Sequence, residues 1–175
     1  YKDKMIENLK KLENLINSEL TSKIQSSFIA NDELSIEINE NDLFEIIQFL
    51  KSNEKCKFRQ LIDIAGVDYP NEEKRFKLVY LFLSHENNCR IKLSINFQPK
   101  QIINSITKIF PSANWMEREV FDMYGIKFND HPDLRRILTD YGFSGHPLRK
   151  DFPITGHTEV RYSEEKKKVV YEPVK

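Results

Sequence analysis

Two successive runs of alternating side chains constrain this chain more than anything else in it. Phe76, Leu78, Tyr80 and Phe82 take every second position in one run, and Ile91, Leu93, Ile95 and Phe97 do so in the next. A period of two places all members of a run on one face of an extended strand. Glu86-Asn87-Asn88 between them is turn chemistry, so the pair is expected to be antiparallel. Val79, Leu81 and Leu83 fill the alternate positions of the first run, which predicts a central strand covered on both faces. Ile62, Ile64 and Val67 form a further run. Leu34, Ile36 and Ile38 alternate with Ser35 and Glu37, and Ile24 to Ala30 reads as their hairpin partner across Asn31-Asp32.

Helical spacing occurs at the ends of this sheet region. Ile6, Leu9, Leu12, Leu15, Ile16 and Leu20 recur on one stripe, predicting an amphipathic helix over 3–20. Leu43, Phe44, Ile46, Ile47 and Leu50 predict a second helix, with Asn41 or Asp42 as its cap. Ile102, Ile103, Ile106 and Ile109 suggest an isoleucine-faced helix that stops before Pro111. The expected class is α+β: a mixed, mostly antiparallel sheet of about four or five strands with helices on one face. Residues 1–124 read as a compact domain. Residues 125–175 hold four of the five glycines and show no sustained period, yet carry Phe128, Leu134, Ile137, Leu138, Tyr141, Phe143, Leu148, Phe152 and Ile154. A disordered linker lacks such residues, so this stretch is expected to be a long irregular arm that packs on another protein, the alternative being an irregular cap over its own sheet.

Composition removes several functions. The 27 basic and 27 acidic side chains cancel, whereas a nucleic-acid binder needs a basic excess. Every run free of Asp, Glu, Lys and Arg falls well short of the roughly 20 apolar residues that a membrane-spanning helix needs. Cys56 and Cys89 are far apart in sequence, at no zinc spacing and too few for an iron–sulfur cluster. No Gly-rich phosphate loop occurs.

The densest signal runs from Asn114 to Pro153. Asn114 and Glu117 have the spacing of a capping box, Gly125 stands where a left-handed helix terminator belongs, and Arg118 and Asp122 are placed for an i,i+4 pair. Seven acids and six bases interleave between Glu117 and Asp151, the mark of ion-pair networks. A catalytic alternative also exists: His131 with Asp133, or His146 with Asp151, each with the composition of an oriented general base in a stand-alone hydrolase or small-ligand enzyme. No Ser or Cys nucleophile in a sharp turn accompanies either pair.

The runs E-R-E-x-x-D-M-Y-G at 117–125, H-P-D-L-R-R-I-L at 131–138 and G-H-P-L-R-K-D-F-P at 145–153 resemble the 30-kDa-type subunit of respiratory complex I (subunit 9 when mitochondria encode it). Weaker similarity covers Val67-Asp68-Tyr69-Pro70 with Arg75-Phe76, and the E-V-R-Y and V-V-Y-E-P stretches of the tail. The resemblance implies a scaffold subunit in the peripheral arm of the proton-pumping NADH:quinone oxidoreductase, with no cofactor of its own. FMN, iron–sulfur clusters and quinone are then expected in other subunits, and the partners are the quinone-site (49-kDa-type) subunit and the terminal-cluster subunit. The implied location is the matrix side of the mitochondrial inner membrane, or the cytoplasmic face of a bacterial inner membrane. The signature carries over onto Glu117, Arg118, Glu119, Asp122, Gly125, His131, Pro132, Asp133, Arg135, Arg136, His146, Arg149, Lys150 and Asp151, expected in helix capping, ion pairing and docking rather than electron or proton transfer. Arg136→Ala or Asp133→Ala is expected to impair assembly more than it alters the kinetics of complexes that do assemble, and Lys166–Lys168 to be nearly silent.

Overall fold

The structure is a computed structural model that describes residues 2–174. The alternating runs form one sheet of five strands: β1 (Ile24–Ala30), β2 (Glu33–Ile38), β3 (Gln60–Asp68), β4 (Phe76–Ser84) and β5 (Cys89–Phe97), in the order β1-β2-β5-β4-β3. All neighbours are antiparallel except β2 and β5, which run parallel. The expected β1–β2 hairpin is present. Asn31 and Asp32 both take positive φ (51° and 62°), the backbone that matches a two-residue turn to strand twist.

Register explains the core. Leu78 faces Ile95 and Tyr80 faces Leu93, while Ile36 lies beside Leu93 from β2, so one sheet face is a continuous apolar layer. Helix α1 (Lys2–Glu19) lays Leu9, Leu12 and Ile16 on it, and α2 (Leu43–Ser52) adds Ile46, Ile47 and Leu50. Helix α3 (Ala113–Tyr124) covers the β3 end, where the Tyr124 ring lies over Gly66. A Cβ on Gly66 would stand 2.7 Å from that ring, so only glycine admits this approach.

Several local expectations fail for identifiable reasons. β4 is an interior strand, but its second face is only half-buried at Val79, Leu81 and Leu83, because the helices all sit on the first face. In β3 a register shift between Leu61 and Asp63 turns Leu61 and Ile64 to the core and leaves Ile62 and Val67 off it. Ile102–Asn104 is a short strand (β6), not a helix: it pairs in parallel with β7 (Lys127–Asn129), and β-branched residues suit that extended pairing. Asp42 occupies the start of α2 but makes no capping bond, because a 3-10 turn over Glu40–Asp42 already feeds the helix with helical backbone. The arm is also more regular than its glycines suggest. Ile126 and Phe128 belong to the core, and β8 (Thr158–Ser163) pairs with β9 (Lys168–Pro173) as an antiparallel ribbon. A period of two, Val160 and Tyr162 opposite Tyr171 and Val169, is present there after all.

Candidate functional site

Several charged residues of the 117–153 segment bond to α3 and β3 around three buried carboxylates, Asp122, Asp68 and Glu117. Asp122 is fully buried. Its Oδ1 accepts from Arg136 Nη1 at 2.7 Å and from Thr139 Oγ1 at 2.6 Å. Its Oδ2 accepts from the successive amides of Ile137 (3.0 Å), Leu138 (2.8 Å) and Thr139 (2.9 Å). Consecutive amides converging on one oxygen form an anion nest. Burial works against ionisation, but the Thr139 hydroxyl, the Thr139 and Leu138 amides and Arg136 outweigh it and hold the carboxyl well below the usual carboxylate range. The i,i+4 partner expected for Asp122, Arg118, is elsewhere: its guanidinium donates to the carbonyls of Arg135 (3.0 Å) and Arg136 (3.1 Å).

The C-terminus of α3 is capped by the arm. Gly125 takes φ 73° and ends the helix with its amide on Phe121 O. The carbonyls that would otherwise be orphaned receive His146 Nδ1–H (Asp122 O, 2.9 Å), the Leu148 amide (Met123 O, 3.1 Å) and Arg149 Nε–H (Tyr124 O, 2.5 Å). Arg149 and Arg136 also bring positive charge to the negative end of the helix dipole. A Cβ at Gly125 would lie 2.5 Å from both His146 Nε2 and Arg149 Nη2, so the glycine serves the backbone and the packing at once.

Asp68 closes β3. Arg75 grips it with a two-point fork (Nε 2.6 Å, Nη2 2.8 Å), the Lys150 amide donates to it at 2.8 Å, and Arg75 Nη1 reaches Asp151 at 2.9 Å. The Arg75 bonds, supported by the Lys150 amide, hold the Asp68 carboxyl below its ordinary value despite burial. The guanidinium groups of Arg75 and Arg149 both lie over the Phe76 ring, at 5.4 and 5.3 Å. Sequence reasoning misses the role of Asp68 and Arg75, because the arm they anchor is remote in the chain. The available signal is an acid at a core-facing position of an apolar strand.

Glu117 is the third carboxylate. The expected capping box does not form: α3 begins two residues earlier, with Ser112 at the N-cap position and Ala113 as its first residue, and Glu117 turns inward to accept from the Ile106 amide at 2.8 Å. Its side chain is fully buried, and burial pushes its pKa up to about 7.

Neither candidate catalytic dyad assembles. His131 Nε2–H donates to Asn114 O at 3.0 Å while Nδ1 accepts the Asp133 amide at 3.1 Å, and the Asp133 carboxylate pairs with Arg135 instead. His146 is spent on Asp122 O, and Asp151 on Arg75. Both imidazoles act as clamps on backbone carbonyls. Of the remaining signature residues, Glu119, Pro132, Asp133, Arg135, Lys150 and Asp151 are exposed. Cys56 and Cys89 have thiols pushed up to about 11 by burial, which leaves them protonated. Among the described residues, no group of His, Cys, Asp and Glu is arranged to hold a metal ion.

Fold and site together define an α+β sheet domain whose 136–151 segment is bonded to α3 and β3 through carboxylate-centred networks. Residues 36–158 match the family described as "Respiratory-chain NADH dehydrogenase, 30 Kd subunit". The C subunit of NADH-quinone oxidoreductase from Chelativorans sp. (strain BNC1) is 49% identical over 170 residues, covering 97% of this chain and 85% of that protein. The protein of the same name from Dinoroseobacter shibae is 58% identical over 149 residues, 85% of this chain and 69% of the relative. A chain in the structure of the membrane-bound sulfane sulfur reductase, an archaeal respiratory membrane complex, shares the fold with a TM-score of 0.72 at 20% identity, over 83% of this chain and 85% of that one. This chain belongs to the family of that respiratory-chain NADH dehydrogenase subunit.

Proposed function

We propose that this subunit of NADH-quinone oxidoreductase does no redox chemistry itself. It holds the quinone-site (49-kDa-type) subunit and the terminal-cluster subunit in register within the peripheral arm, while FMN, the iron–sulfur clusters and quinone reside in other chains. The observation that carries this reading is the unequal finish of the arm. Its inner side is bonded to α3 and β3, yet Leu138, Tyr141, Leu148 and Ile154 point outward, Tyr141 and Ile154 fully exposed. The β8–β9 ribbon likewise leaves Val160, Tyr162, Val169 and Tyr171 uncovered on one face, with the Arg161–Glu172 ion pair on the other. A two-stranded ribbon is marginal alone, so a surface that covers its apolar face supplies what it lacks.

Electron transfer and quinone binding tolerate little displacement, so an arm anchored at Asp68, Asp122 and the end of α3 fixes what docks on it. No helix among the described residues is long and apolar enough to cross a membrane. Attachment to the membrane would then come through partners, on the matrix side of a mitochondrial inner membrane or the cytoplasmic face of a bacterial one. The test is affinity purification of the tagged full chain from native membranes, compared with a chain truncated after residue 137. The full chain is expected to bring down both partner subunits and the truncated chain neither. Equal recovery of partners by both chains contradicts the proposal.

A further inference from the structure

Two buried polar side-chain atoms have no hydrogen-bond partner among the described residues: Tyr80 Oη and Glu117 Oε2. Both side chains are fully buried, and the two interact electrostatically. Such orphaned groups are rare in folded proteins and call for an explanation. The groups facing Glu117 can be named from every element around it. Tyr80 comes from β4. The Ile106 amide (2.8 Å from Oε1) and the Ser105 hydroxyl come from the turn after β6. His131, from the loop after β7, has Nε2 3.9 Å from Oε2. The cations flanking this region bond other groups: Arg118 the carbonyls of Arg135 and Arg136, Lys108 the Asp130 carboxylate, and Lys51 of α2 the Ile109 carbonyl and the Phe110 ring. Glu117 therefore has no cation among them to answer a negative charge.

His131 is the basic side chain in reach, and both of its ring nitrogens are bonded to the backbone. Nε2–H donates to Asn114 O, and Nδ1 offers its lone pair to the Asp133 amide. An ionised Glu117 would be a buried charge with no compensating cation, and the 131–133 turn, whose His131 lies against Oε2, opens to admit water.

We infer that Glu117 and His131 form a buried proton latch, in which the neutral Glu117 acid keeps the 131–133 turn closed and its ionisation releases that turn at the root of the arm. The Glu117 and His131 side chains are both buried, while Pro132 and Asp133 of the turn are exposed. The direction of the linkage follows from burial. A carboxyl raised from an ordinary 4.5 to about 7 contributes stability that is complete below about pH 4.5 and is lost as pH rises through about 7.

The experiment is hydrogen exchange of the full chain, read as the protection factor of the Asp133 amide, together with the infrared C=O stretch of protonated carboxyls. Protection is expected to fall on the order of a hundredfold between about pH 5 and about pH 8. In Glu117→Gln it should stay flat, and one protonated-carboxyl band present near pH 6 in the wild type should vanish. Wild-type protection that does not change with pH overturns the inference, even if the variant fails to fold. So does the same fall in Glu117→Gln, or the absence of a Glu117 carboxyl band.

Discussion

Replacing Asp122 by Asn tests whether the arm is held by an anion nest or by a simple ion pair. The carboxylate accepts from five donors: Arg136 Nη1, the amides of Ile137, Leu138 and Thr139, and the Thr139 hydroxyl. Asn keeps one oxygen but turns an NH2 group toward amides that can only donate. Removing one partner of a buried charge pair costs about 3–5 kcal/mol, and each amide stranded away from water about 1–3 kcal/mol more where the loop cannot relax. About 4 kcal/mol is a reasonable expectation for Asp122→Asn, a large share of the roughly 5–15 kcal/mol that holds a domain together. Arg136→Ala leaves four of the five donors in place and removes a bond to Gly145 O, so about 2 kcal/mol is expected. Urea denaturation of the full chain measures both. An Arg136→Ala cost equal to that of Asp122→Asn, or an Asp122→Asn cost under about 1 kcal/mol, would refute the nest.

Further outcomes follow from the same geometry. Asp133→Ala should change stability by less than about 1 kcal/mol in the same denaturation assay, because its pair with Arg135 is exposed. Gly125→Ala should cost well over about 1 kcal/mol, since it meets positive φ and displaces His146 and Arg149 together; a raised rate of proteolysis in the 140–155 segment would report the displaced arm. Gly66→Ala should cost about 1–3 kcal/mol by driving Tyr124 outward, measured as a lowered thermal midpoint. Asp68 and Asp122 have depressed values, so their stabilisation is present above the ordinary carboxylate range and is lost as pH falls through it. Amide protection at residues 137–139 should therefore drop on acidification, opposite in sign to the Glu117 effect.

The sheet is legible in the sequence because its signals are local and strong. The alternation at 76–97 and the Asn31-Asp32 turn need no partner to be understood. What fails depends on distant sequence. Ile102 and Ile103 carry a helical spacing, but β7 lies far downstream, beyond α3, and its offer of parallel pairing decides their state. The capping box at Asn114 and Glu117 is correct as a spacing and wrong as a contact, because the Ile106 amide competes for the same carboxylate. The acid–base interleaving at 117–151 announces a network without revealing its pairing. Asp122 pairs with Arg136 rather than Arg118, and Arg75 joins from β4's edge through Asp68. The ribbon at 158–173 is the one omission that local reading could repair, since Val160, Tyr162, Val169 and Tyr171 already alternate.

If this chain serves the enzyme by position, loosening its arm should cost complexes rather than turnover. Quinone reductase activity divided by the amount of assembled complex, measured in membranes carrying Asp122→Asn, tests that most directly. Assembled complex is predicted to become scarce while each remaining complex keeps near-normal turnover. Normal abundance with turnover abolished would contradict the positional role and put chemistry in this chain.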